Sequence, residues 1–149
     1  ISSGSTLTYT DKGVKSGNTY YYKIAATYKI KGSAGRGSYS KVTEVAVLKQ
    51  GSIYSITLGD NNVLNISWNS VANASGYELA GAVSEKGTYT TLQTSGATSF
   101  THSNLVQGTT YYYKVRAYKD LSNGIRMYGP WSAVNGYKQC DSRPDGILL

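Results

Sequence analysis

Apolar and polar residues alternate in short runs along the chain, and glycine, asparagine, aspartate and serine separate the runs. Alternation with period two marks a half-buried strand, because successive side chains leave a strand on opposite faces. It predicts strands near 53–58, 63–68, 76–82, 88–93, 97–101, 110–119 and 128–137. Turn-forming stretches lie between them: Gly59-Asp60-Asn61-Asn62, Asn69 to Ser75, Glu85-Lys86-Gly87, Ser95-Gly96, Asn104 to Gly108, and Asp120 to Gly124. Short strands with a turn every roughly eight to twelve residues predict an antiparallel sandwich. The sixth strand alternates most clearly. Tyr111, Tyr113, Val115 and Ala117 take one face, and Tyr112, Lys114, Arg116 and Tyr118 take the other. The first set is expected in the core.

The pattern occurs twice. Tyr9 to Ile24 aligns without a gap on Phe100 to Val115, 91 residues later, and both stretches contain Thr-Tyr-Tyr-Tyr-Lys. Gly37-Ser38-Tyr39-Ser40 then matches Gly129-Pro130-Trp131-Ser132 at an offset of 92. A period of this length is a whole domain, whereas solenoid repeats run to about 20–50 residues. The second copy is complete over about 51–139. The first has only its C-terminal half, about 1–50, and a tail follows at 140–149. The link Lys49-Gln50-Gly51 is short, so the two units are expected end to end with limited hinge freedom.

Composition narrows the class. Charged residues make up 15% of the 149, against roughly 25% in an average soluble protein. Seventeen glycines, fifteen tyrosines and two prolines suit a turn-rich β protein and argue against a coiled coil or a charged disordered tail. No apolar run approaches the roughly 20 residues of a membrane helix, and no signal peptide or lipidation motif is visible. The chain opens on Ile1-Ser2-Ser3 without an initiator methionine, so it reads as a processed or excised piece. The single cysteine, Cys140, has no partner for a disulfide or a zinc site within the chain and reads as a free thiol. Net charge is +7, and residues 1–50 carry +6 of it. A basic N-terminal third suits an acidic partner such as a wall polymer, a nucleic acid or a protein, although solvated strand faces give such counts routinely.

The motifs resemble a fibronectin type III domain of the kind found in tandem in bacterial surface and secreted proteins. The matching pieces are Leu64-x-Ile66-x-Trp68, Gly76-Tyr77-Glu78-Leu79, Gly87-Thr88-Tyr89 ahead of Leu92, Leu105-x-x-Gly108-x-Thr110-Tyr111-x-x-x-Val115, and Gly129-Pro130-Trp131-Ser132. The resemblance implies an all-β, immunoglobulin-like antiparallel β-sandwich, in tandem, with the first copy incomplete. It places the family's tyrosine corner on Tyr111, and on Tyr20 in the first copy. The proline usual before the corner glycine is Gln107 here, and Ser16 in the first copy.

The expected core comprises Trp68, Tyr77, Leu79, Leu105, Tyr111, Tyr113, Val115 and Trp131, with Tyr20 and Tyr22 in the first copy. Trp68 should fill its centre, since such a ring buries about 150–250 Å². The first copy, with three expected strands, leaves a sheet face uncovered and is too small for a normal core. Truncation of a longer array, completion by a partner chain and a rearranged mini-sheet all fit the sequence. The tail, ending Ile147-Leu148-Leu149, is a candidate to pair with an exposed edge.

Catalytic chemistry is sparse. His102 is the only histidine and is expected at the exposed end of the fifth strand, where the first copy has Asp11. No nucleophile elbow, paired-histidine zinc motif or phosphate loop occurs, and the acids are scattered. Asp60-Asn61-Asn62 reads as a hairpin turn in preference to a calcium site. Asn65-Ile66-Ser67 and Asn73-Ala74-Ser75 match the glycosylation acceptor pattern. Outward tyrosines are the best binding lead: Tyr112, Tyr118, Tyr128 and Tyr21 are the candidate ligand contacts, beside Leu121, Ile125 and Met127. The expected function is a non-catalytic spacer, display or adhesion module, without cofactor or metal, outside the cell or on a bacterial surface. The alternatives are recognition of polysaccharide or protein, and a fibre subunit that self-associates through the incomplete first domain. Nucleic acid fits poorly, because the fold offers no open groove.

Overall fold

A computed structural model describes residues 7–140. The tail beyond Cys140, including its apolar end, lies outside the described residues. Twelve strands and no helix are present among them. Four strands form the first unit: β1 (Asn18–Tyr22), β2 (Thr27–Ile30), β3 (Ser33–Arg36) and β4 (Thr43–Val47). The second unit comprises β5 (Ile53–Gly59), β6 (Val63–Trp68), β7 (Gly76–Ala82), β8 (Thr90–Ser95), β9 (Ser99–His102), β10 (Thr110–Asp120), β11 (Arg126–Tyr128) and β12 (Asn135–Lys138).

The second unit is an antiparallel sandwich. One sheet runs β5-β6-β9 and the other β11-β10-β7-β8, with β12 also paired to β10. Left-handed Asn61 and Asn62 close the β5–β6 hairpin, a conformation that asparagine tolerates better than most residues. The last strand, expected as one piece over 128–137, is two. Pro130 has no N–H to give the ladder, and the backbone bonds Gly129 N to Ala117 O (2.9 Å) and Ser132 N to Val115 O (2.8 Å) bridge the gap.

The core follows the period-two reading. Leu64, Ile66 and Trp68 descend from one sheet onto Leu79, Tyr113 and Val115 of the other, all 2% exposed or less. The Trp68 and Tyr77 rings meet edge to face at 6.1 Å, and the Tyr77 hydroxyl accepts Val71 N–H at 2.8 Å. Leu105 and Tyr111 close one end of the core, where the Tyr111 hydroxyl accepts Val106 N–H at 2.9 Å. That bond pins the crossing loop to β10, as a tyrosine corner does.

Trp131 departs from expectation. It is only half-buried and lies on the outer face of the sheet, over Lys114 and Arg116. Its neighbour Ser132 turns inward, where its Oγ accepts Val115 N–H at 3.0 Å, so the residue before it must face out.

The first unit holds four strands, not three. β1 pairs with β4 and β2 with β3. Tyr20 and Tyr22, expected in a core, are half-buried and stack on each other at 6.5 Å. Only Ala46 and Leu48 are buried among the described residues of this unit. Among the described residues, β1 and β4 pair only with each other, as do β2 and β3.

Candidate functional site

Two surfaces carry chemistry, and both grow from β10. Its outward residues bear a stack of cations and rings. Lys114 Nζ lies 4.2 Å from the Tyr89 ring centre and 4.8 Å from that of Trp131. Arg116 follows, with Cζ 4.4 Å from Trp131 and 3.8 Å from Tyr128. Arg126 then covers Tyr118 at 3.8 Å, and Tyr118 meets Tyr128 edge to face at 6.2 Å. Each cation faces the negative side of a ring quadrupole.

Carboxylates complete the pairing. Glu78 Oε2 takes Arg116 at 2.7 Å, while its Oε1 accepts the Thr91 hydroxyl at 2.8 Å. Asp120 receives Arg126 through two parallel bonds at 2.6 and 2.9 Å, a fork that holds its carboxyl below the usual range. Arg116 and Arg126 are thus each held by a carboxylate, while Lys114 rests on the Tyr89 and Trp131 rings.

The four candidate contact tyrosines do not converge. Tyr21 is 66% exposed on the first unit, and Tyr128 is 46% exposed at the rim of the second. Tyr112 is half-buried with its ring over Gly136, where an added Cβ would stand 2.9 Å from Cε1. Tyr118, expected to point away from the core, lies on the outer face yet is only 6% exposed. Its partner across the ladder is Gly76, which has no side chain, and the phenol lies down in that gap under Arg126. Leu121, in the loop that follows, is buried as well, whereas Ile125 stays exposed. The residues missed as members of this surface, Tyr89, Glu78 and Arg126, come from other strands or loops. Only the outward placement of Trp131 had a signal, in the alternation with Ser132.

The second surface is the slot between β9 and β10. His102 is half-buried there and not free in a loop: its Nδ1 is 2.8 Å from the Tyr113 hydroxyl, and its ring meets those of Tyr111 and Tyr113 edge to face at 5.5 and 5.8 Å. Burial holds the imidazole below its ordinary pKa and pushes the Tyr113 phenol up. The first unit repeats the slot with different chemistry, since Asp11 Oδ2 accepts the Tyr22 hydroxyl at 3.0 Å. One is an imidazole and the other a carboxylate, each tied to a tyrosine, and neither has a nucleophile beside it. Among the described residues, no three of His, Cys, Asp and Glu gather as metal ligands.

Between the units lies a joint. Leu48 is buried against the second core, and a Cβ on Gly129 would stand 3.0 Å from that of Leu48. Gln50 Nε2 donates to Trp131 O at 2.7 Å, and Asn73 Nδ2 donates to Gly17 O. Glu44 Oε2 accepts both Ser122 N–H (3.0 Å) and the Ser122 hydroxyl (2.7 Å), which holds its carboxyl below the usual range.

No protein-family model matches the chain. Kelch domain-containing protein SSO1033 of Saccharolobus solfataricus is 29% identical over 126 residues; the match covers 83% of this chain but only 17% of that protein's length. Among solved structures, the sixth fibronectin type III domain of human fibronectin type III domain containing protein 3 is 19% identical, with a TM-score of 0.54 over 67% of this chain and 92% of that one. The FN1-FN3 domains of chicken CNTN1 are 18% identical, with a TM-score of 0.52 over 89% of this chain and 44% of that one. An Fn3-like protein from Clostridium thermocellum is 28% identical, with a TM-score of 0.44 over 58% of this chain and 88% of that one. The chain carries the fibronectin type III fold, an immunoglobulin-like β-sandwich.

Proposed function

We propose that the chain is a tandem spacer, two fibronectin type III units that hold neighbouring domains of a bacterial surface or secreted protein at a fixed distance. The first unit is the C-terminal half of one such domain, and 51–139 is the whole of the next. The joint carries this reading. A flexible linker would leave its apolar residue in solvent and its polar groups unpaired, but Leu48 is buried in the second core and hydrogen bonds from Gln50, from Asn73 and from Ser122 to Glu44 cross the boundary. The likeness to the FN1-FN3 domains, which runs over 89% of the chain, supports a tandem.

The repetition of backbone bonds supports the half-domain assignment. Ser40 N donates to Ile24 O at 2.7 Å where Ser132 N donates to Val115 O, and Gly37 N donates to Ala26 O at 2.9 Å where Gly129 N donates to Ala117 O. Strands equivalent to β5–β9 would complete the sandwich. The location outside the cell rests on the resemblance to tandem modules of that kind.

The test is a distance measurement between spin labels on Lys29→Cys and Lys86→Cys in the full chain, with Cys140→Ser as background. A single narrow distance distribution is expected. A broad one, as wide as that of a chain with several glycines inserted after Gln50, would overturn the spacer reading.

A further inference from the structure

The hairpin tip between β10 and β11 carries Asn123-Gly124, a pair whose own atoms can react with each other. The asparagine amide carbon is an electrophile, and the backbone nitrogen of the next residue can close a succinimide ring on it. Glycine in second place removes the side chain that would block the approach and frees the backbone to make it. The pair occurs twice in the chain. Asn135-Gly136 lies within β12, opposite Tyr113 and Tyr112 in the ladder with β10, and the Tyr112 ring lies over Gly136. Ring closure there needs a backbone rotation that the ladder resists.

Asn123 stands differently. It is exposed, and the pair lies outside any strand. Leu121 N donates to Ile125 O at 2.9 Å, Gly124 N to Leu121 O at 3.0 Å, and Ile125 N to Asn123 Oδ1 at 3.0 Å. The attacking nitrogen and the amide oxygen are thus both committed to the turn, so reaction waits until the turn opens. The joint holds that turn from outside. Glu44 Oε2, on the first unit, accepts the N–H and the hydroxyl of Ser122, the residue directly before Asn123.

We infer that Asn123 is a deamidation site gated by the joint. While Glu44 holds Ser122 the pair is protected; when the units part, it reacts and marks the opening with a permanent charge. In the step, Gly124 N bonds to Asn123 Cγ and the Cγ–Nδ2 bond breaks. The side-chain nitrogen leaves as ammonia, taking up the Gly124 N–H proton through water. Water then opens the ring, at Cγ to leave aspartate or at the main-chain carbonyl to leave isoaspartate, and it is the only co-reactant. Either product puts a carboxylate beside Ser122, where the Glu44 carboxylate must return, and like charges oppose that return. Isoaspartate also lengthens the backbone of the turn. The inference rests on the spacer reading, because it needs a closed joint.

The experiment keeps the full chain warm at neutral pH and follows the peptides holding Asn123 and Asn135 by mass spectrometry, with an isoaspartyl methyltransferase to detect isoaspartate. Asn123 should convert about tenfold faster than Asn135, since turns open more readily than ladders. Glu44→Ala, which leaves Ser122 without its acceptor, should speed Asn123 by about fivefold and leave Asn135 unchanged. Glu44→Gln keeps a neutral acceptor and should fall between parent and Glu44→Ala. A thermal melt of each variant checks folding. In the spin-labelled chain, Asn123→Asp keeps the acceptor for Ile125 N–H and adds only the charge, and it should broaden the distance distribution. Equal rates at the two asparagines, or an Asn123→Asp distribution as narrow as the parent's, would overturn the inference. A broad distribution in the parent overturns the spacer reading, whereas a narrow one with an Asn123 rate indifferent to Glu44→Ala overturns this inference alone.

Discussion

Tyr20 and Tyr111 occupy the same place in two copies of one motif, and each hydroxyl accepts the N–H of the residue five positions upstream, at 2.6 Å from Lys15 and 2.9 Å from Val106. Tyr111 is 9% exposed, while Tyr20 remains half-open to solvent. The local bond is therefore set by local sequence, but its worth is set by what covers it. The strands show the same division. β10 runs unbroken for eleven residues between β7 on one side and β11 and β12 on the other. Its counterpart breaks into β1 and β2, with 23–26 outside any strand. The bonds to the following segment survive there, but among the described residues no strand pairs with it as β7 pairs with β10.

The largest expected effect tests whether the second unit owes its solidity to the opposite sheet. Trp68→Ala should cost about 3–5 kcal/mol and lower the melting temperature sharply. An unchanged melt would remove Trp68 from the centre of the core. Next comes the tyrosine pair. Tyr111→Phe leaves the Val106 N–H without its acceptor in a half-closed site and should cost about 1–2 kcal/mol, whereas Tyr20→Phe should cost under about 0.5 kcal/mol, since water replaces the lost bond. Equal losses in urea titrations of the two variants would break the comparison.

The β9–β10 slot gives a smaller, pH-dependent difference. The folded state holds His102 below its ordinary pKa by burial. The unfolded chain therefore takes up the proton first as the pH falls below about 6.5, and the stability present above that value is progressively lost below it. The urea midpoint should fall between about pH 7 and 5.5 in the parent and stay level over that window in His102→Gln; the ordinary histidine range is what sets the window. Parallel curves would show that the imidazole is not the titrating group. The smallest effect belongs to the joint. Glu44→Gln weakens the two bonds from Ser122 and should broaden the label-to-label distance slightly while leaving the melt of the second unit in place. A distribution identical to the parent's would mean that Leu48 alone holds the units together.

Most strands of the second unit were legible from alternation and turn residues, because a sheet with one buried face writes its period into the chain. On β10 the alternation puts Tyr111, Tyr113, Val115 and Ala117 on one face, and all four are buried. The cation–ring stack was only half legible. Lys114 and Arg116 share a face with Tyr112 by period alone, but their partners Tyr89, Glu78 and Tyr128 are distant in sequence and meet them only through strand pairing. The covering of Tyr118 was not legible, because the residue that makes room for it, Gly76, lies on another strand.

The sequence by itself determined the repeat, the alternation and the turn chemistry, since each depends on neighbours within a few residues. From the repeat it also determined that Asp11 stands in the slot of His102. Tertiary structure alone decided which tyrosines are covered, which cations are paired and whether a strand stays whole. Burial and ion pairing depend on what lies across the sheet or the interface, and a residue's own sequence neighbourhood does not specify that.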